Sequence, residues 1–155
     1  MRPRGHRSRD AHLLQGYWTP DHLVSFPDEA RDELLDPETV PLPGSDPSRR
    51  LFVVEETAVI RFVEIEPVHR RARVVVGLAP GAEEDAVDVL ISAVAVGFGA
   101  LNLHRLHGRL LSRGTRCRNT AKAAGFRHEG TIPQGMWLGG ARHDMEIWGI
   151  LRDEH

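Results

Sequence analysis

Leu78-Ala79-Pro80-Gly81-Ala82-Glu83-Glu84-Asp85 runs straight into the apolar stretch from Ala86 to Ala100. Pro80-Gly81 ends an extended run and a helical pattern follows, so these eight residues read as the loop of a strand–loop–helix unit. Such a loop normally favours an anion, because free backbone N–H groups gather there at the positive end of the helix. Here three consecutive carboxylates occupy it. Acids in a helix's first turn suit the dipole by about 0.3–1 kcal/mol each. The other reading is that they hold a cation, a metal or a partner's basic residue where an anion would lie.

Working outward towards the C-terminus, Ala86 to Ala100 carries only Asp88 and Ser92 as polar residues before its glycines, the pattern of a helix buried against a sheet. Leu103 to Leu111 reads as a strand, and Thr115 to Ala124 as a second helix closed by Gly125, with Phe126 opening another strand. Gly139-Gly140 is a hairpin turn between Gly135–Leu138 and His143–Leu151.

Towards the N-terminus, Ala72 to Ala79 contains Val74-Val75-Val76, which predicts a central strand covered on both faces. Leu51–Val54 and Ala58–Glu66 predict an antiparallel hairpin across the charged break Glu55-Glu56-Thr57. Strict alternation would place Phe62, Glu64 and Glu66 on one face and Val63 and Ile65 on the other. Ala11–Trp18 reads as a short strand, and Pro27-Asp28-Glu29 opens a helix to about Leu35. The segment 36–50, with four prolines, is a loop. Residues 1–10 read as a disordered basic arm and 11–155 as a single domain. The class is α+β, a mixed α/β sheet with packed helices.

The chain's 155 residues suffice for one core. Its net charge of −2 supplies no global attraction to nucleic acid or anionic membrane. Cys117 is the single cysteine, which excludes an intrachain disulfide and cysteine-based zinc sites. No apolar run follows the basic N-terminus, and Val89–Leu101 is too short to span a bilayer, so neither signal peptide nor membrane span is expected and the default location is cytoplasmic.

The phrases VVVGLAP (Val74–Pro80), LNLHRLHGRLL (Leu101–Leu111), AAGFRHEG (Ala123–Gly130) and MWLGGARHDMEIWGILRDEH (Met136–His155) resemble the GNAT superfamily of N-acetyltransferases. The resemblance starts near Leu51, runs to the C-terminus, and is nearest to the branch that acetylates ribosomal-protein N-termini. It implies the GNAT fold, a mostly antiparallel central sheet, here with a shortened N-terminal part. It also implies acyl transfer from acetyl-CoA or another acyl-CoA to a small-molecule or peptide amine.

By the same resemblance the cofactor's path follows Val76 and Leu78, then Gly81, Ala82, Glu83 and Glu84 in the loop, and Gly114. The family's loop reads basic-x-x-Gly-x-Gly or Ala; here Ala82 and Glu84 stand near its glycines and the basic residues are missing. Gly114 stands for an asparagine, Arg73 for a carboxylate, Ala123 for a lysine, and Cys117 for the serine or tyrosine that reprotonates the thiolate. A carboxylate about 5 Å from a phosphate, at an effective dielectric near 20, costs roughly 3 kcal/mol. Two such contacts would remove most of a micromolar affinity, about 8 kcal/mol. The loop is therefore expected to be degenerate for coenzyme A. A non-catalytic binding or regulatory module, with a protein partner or as a homodimer, and a CoA-independent enzyme are the alternatives.

Cys117, near a helix start with Arg113, Arg116 and Arg118, is a candidate proton donor or nucleophile, against the plainer reading that a thiol replaces a serine. His104, His107 and His128 are candidate bases for it, and Glu64 or Glu66 a general base in the acceptor cleft, against the reading of a solvated strand face. No metal site is assigned: His104 and His107, three apart on a strand, point to opposite faces. His143-Asp144 reads as structural, and Trp137 and Trp148 as packing residues of the hairpin.

Overall fold

Val74-Val75-Val76 lies in the middle strand of one sheet. The computed structural model describes residues 1–10, 46–111, 115–138 and 140–155. Their strands are β1 (Arg4–Gly5), β2 (Arg50–Val54), β3 (Ala58–Glu66), β4 (Arg71–Leu78), β5 (Arg105–Leu111), β6 (Arg127–Leu138) and β7 (Ala141–Leu151), with helices α1 (Ala86–Phe98) and α2 (Thr115–Ala123). The strand order is β1-β2-β3-β4-β5-β7-β6. Every neighbouring pair is antiparallel except β4 with β5. The strand and helix expected over Ala11–Trp18 and Pro27–Leu35, and residues 36–45 of the proline-rich loop, lie outside the described residues.

The helices cover one face. Val89, Leu90, Ala93, Val94 and Phe98 of α1 join Phe62, Val74, Val76, Leu106, Leu110 and Trp148 in a single core cluster. Ser92 is buried in that helix without penalty, because its hydroxyl donates to the Val89 carbonyl at 2.7 Å. Val53, Val59, Val63 and Val75 are buried on the opposite face, so β3 and β4 are buried on both sides, as Val74-Val75-Val76 predicts for β4. Gly125 closes α2 at φ +94, the left-handed conformation that glycine adopts most cheaply.

Three features of the sheet differ from what local pattern suggests. First, Arg4 and Gly5 pair with Val53 and Phe52 along β2. The repulsion among the arginines is offset by Asp10, which is buried. It accepts from Arg4 Nη1 and Nη2, both at 2.8 Å, and from the Arg7 amide at 2.7 Å. Second, alternation fails in β3, where the register shifts between Val63 and Glu66 and Glu64 adopts φ +53. This β-bulge turns Glu64 away from the face that Phe62 occupies. Third, Trp137 is 69% exposed, on the part of the β6–β7 hairpin that extends past the end of β5. Trp148 packs in the core as expected.

Candidate active site

β4 and β5 form a fork. They pair only through Arg71↔Arg105, Ala72↔Leu106 and Arg73↔His107. Beyond that point β4 continues to Leu78 beside β3, and β5 continues to Leu111 beside β7. From Val74 onward the β5-facing edge of β4 therefore has no strand partner among the described residues, and its backbone groups are available to an extended ligand. The α1 N-terminus stands at the open end of the fork.

The loop at that end carries its own internal hydrogen bonds. Gly81 turns the chain at φ +86 with nothing within 4 Å of where a Cβ would lie. Its amide donates to the Glu83 carboxylate at 3.4 Å, and the Ala82 amide donates to the Ala79 carbonyl at 3.0 Å. Two donors that could face an anion are thus engaged within the loop. Glu83, Glu84 and Asp85 form a single 3₁₀ turn ahead of α1, and Asp85 makes no side-chain capping bond to α1. Val76 and Leu78 place their side chains in the helix-side core, so only their backbone borders the fork.

The face turned away from the helices carries charge. Arg73 is fully buried in β4 and donates from Nη2 to Glu64 Oε1 at 3.1 Å. Arg109 of β5 reaches Glu64 Oε2 at 3.9 Å. His107 of β5 stands opposite Arg73 and two residues before Arg109, with its Nδ1 buried and without a hydrogen-bond partner among the described residues. Burial first, then the Arg105 and Arg73 guanidiniums, lower its pKa, against the raising effect of Glu64 and Glu129. Across the strand, Arg105 and Glu129 form a two-pronged bridge at 2.7 and 2.6 Å.

Cys117 sits in the first turn of α2, partly buried against the helix-side core. Cys117 and Glu64 are therefore on opposite faces of the sheet, and the fork is the opening between those faces. Gly114 lies outside the described residues. Of the other two histidines, His128 is engaged with Thr131 at 3.1 Å and packs on Trp148 at 5.6 Å, while His104 precedes β5 at the closed end of the fork.

No protein-family model matches the chain, and no curated protein matches it in sequence. Solved structures match it in fold. A chimera of the Vibrio cholerae spermidine N-acetyltransferase SpeG and hSSAT superposes with TM-score 0.81 at 22% identity, over 99% of this chain and 98% of that one. A point variant of Vibrio cholerae SpeG gives TM-score 0.78 at 22% identity, over 99% and 96%. SpeG in complex with CoA and spermine gives TM-score 0.75 at 22% identity, over 98% and 95%. The fold is the GNAT fold. Within that fold Arg73 occupies β4 just before the fork opens, where the sequence resemblance expects a carboxylate. The nearby carboxylate is Glu64, delivered from β3 by its bulge. Sequence reasoning assigned Glu64 to this region but missed Arg109 and the pairing of His107 with Arg73, because both depend on which strands are neighbours.

Proposed function

We propose that this protein is an acyl-CoA-dependent N-acyltransferase, moving an acetyl or other acyl group to an amine, with a weakened grip on the coenzyme's pyrophosphate. The fork between β4 and β5 carries this reading. It offers a strand edge, from Val74 to Leu78, that is unpaired among the described residues, to an extended amide-containing thioester arm, and its open end faces the start of α1. Residues fit such a donor along the strand and fit it poorly in the loop, where Gly81 and Ala82 spend their amides internally and three carboxylates crowd the helix start. When bound, the donor would supply the activated acyl group. Cys117 is the residue to return a proton to the departing thiolate from the helix side. Glu64 holds Arg73 and Arg109 on the other side, where the amine would enter.

The amine is either a polyamine, as in the neighbour that holds spermine, or a peptide N-terminus, as the sequence resemblance to the ribosomal-protein branch suggests. The acidic loop also favours a second reading, a non-catalytic module that binds a basic partner. Calorimetric titration with acetyl-CoA, together with thiol release in the presence of spermine or an alanyl peptide, separates them. Binding weaker than micromolar with measurable thiol release is expected. Micromolar binding would overturn the weakened loop. Absence of both binding and thiol release would overturn the transferase in favour of the binding module.

A further inference from the structure

We infer that His107 is the base that takes the proton of the acceptor amine in this transfer, an assignment that rests on the reading above. Arg73↔His107 is the last pair before β4 and β5 separate, which puts the imidazole at the point where the fork opens. Its neighbours Leu106 and Leu110 point into the helix-side core. By alternation His107 points to the other face, the one that Glu64, Arg73 and Arg109 share. Gly149 stands opposite it on β7 and adds no side chain beside the ring.

The ring is partly exposed, yet its Nδ1 is buried without a hydrogen-bond partner among the described residues. Native structures rarely leave a buried polar atom in that state unless a ligand, a water or a function accounts for it. The charged groups around it are accounted for from every neighbouring strand. Glu64 of β3 is bridged to Arg73 of β4 and to Arg109 of β5, and Glu129 of β6 to Arg105 of β5. Burial and the flanking guanidiniums lower the imidazole's pKa, which favours the neutral form that accepts a proton.

The step balances. The amine nitrogen bonds to the thioester carbonyl carbon, the C–S bond breaks, and the sulfur leaves as thiolate and takes a proton from Cys117. The ammonium proton passes to His107, and solvent later restores both groups.

The test compares wild type, His107→Gln and His107→Ala by thiol release from acetyl-CoA with spermine or the alanyl peptide, across pH 5 to 9. His107→Gln should lower kcat roughly 100-fold and remove the acidic limb of the rate profile, with acetyl-CoA affinity unchanged. Added imidazole should restore part of the activity of His107→Ala. A two-dimensional proton–nitrogen spectrum should show His107 titrating below the ordinary histidine range in wild type. An active wild type with His107→Gln within about threefold of it and the same pH profile would overturn this assignment alone. A wild type that neither binds acetyl-CoA nor releases thiol would overturn the transferase reading and this assignment with it.

Discussion

Glu64 reaches the arginines only because β3 carries an extra residue. A left-handed φ in a residue with a side chain is disfavoured, and here it is offset by ion pairs to Arg73 and Arg109. Gly149 shows the same dependence on neighbours. A Cβ there would meet the Glu129 carboxyl carbon at 2.6 Å and Arg105 Nη1 at 2.7 Å. Gly149→Ala should therefore open the Arg105–Glu129 bridge and lower Tm; an unchanged melting curve would show that the bridge moves aside freely. Single groups also set the pH response. His6 and His107 both have lowered pKa values, chiefly through burial. The unfolded chain then binds protons first, so stability is complete above about pH 6.5 and falls as the pH drops through their folded values. Asp10 is lowered too, mainly by its hydrogen bonds to Arg4. Its contribution is present above the ordinary carboxylate range and lost below it. Melting temperature against pH should decline in two stages, and Asp10→Asn should flatten the lower one.

At the scale of elements, α1 was legible because an apolar run with almost no polar face has only one stable place, against a sheet. What the run does not disclose is which strand it rests on. Gly97 decides that: a Cβ there would meet Leu106 Cδ1 at 2.7 Å, and Leu106 is itself fully buried. Gly97→Val should cost about 1–3 kcal/mol by overpacking, lowering Tm by about 2–4 °C per kcal/mol; denaturant titration gives the value directly. The β6–β7 hairpin was legible from Gly139-Gly140, but its reach past β5 was not. β6 is the sheet's edge among the described residues, with its register broken between Ile132 and Met136 and Pro133 inside the break. Such a break discourages strand pairing with another chain.

For the whole molecule, the opposition between the fork and the acidic loop gives a test of its own. If the carboxylates of Glu83, Glu84 and Asp85 repel the donor's phosphates, added salt should screen them and leave acetyl-CoA affinity unchanged or tighter. In a Glu83→Arg, Glu84→Gly double variant affinity should rise, and salt should now weaken it. Calorimetry at two ionic strengths reads both signs, and a wild type whose binding weakens with salt would count against the repulsion. The sequence by itself determined the sheet-and-helix class, the strand order along the chain, the buried α1 and the three acids at its start. These follow from local periodicity, turn chemistry and charge. Only the tertiary structure decided that β4 and β5 part after Arg73 and His107, that a bulge carries Glu64 to the arginines, and that Cys117 stands across the sheet from them. Those relations depend on register and on contacts between residues distant in the chain, which local pattern does not specify.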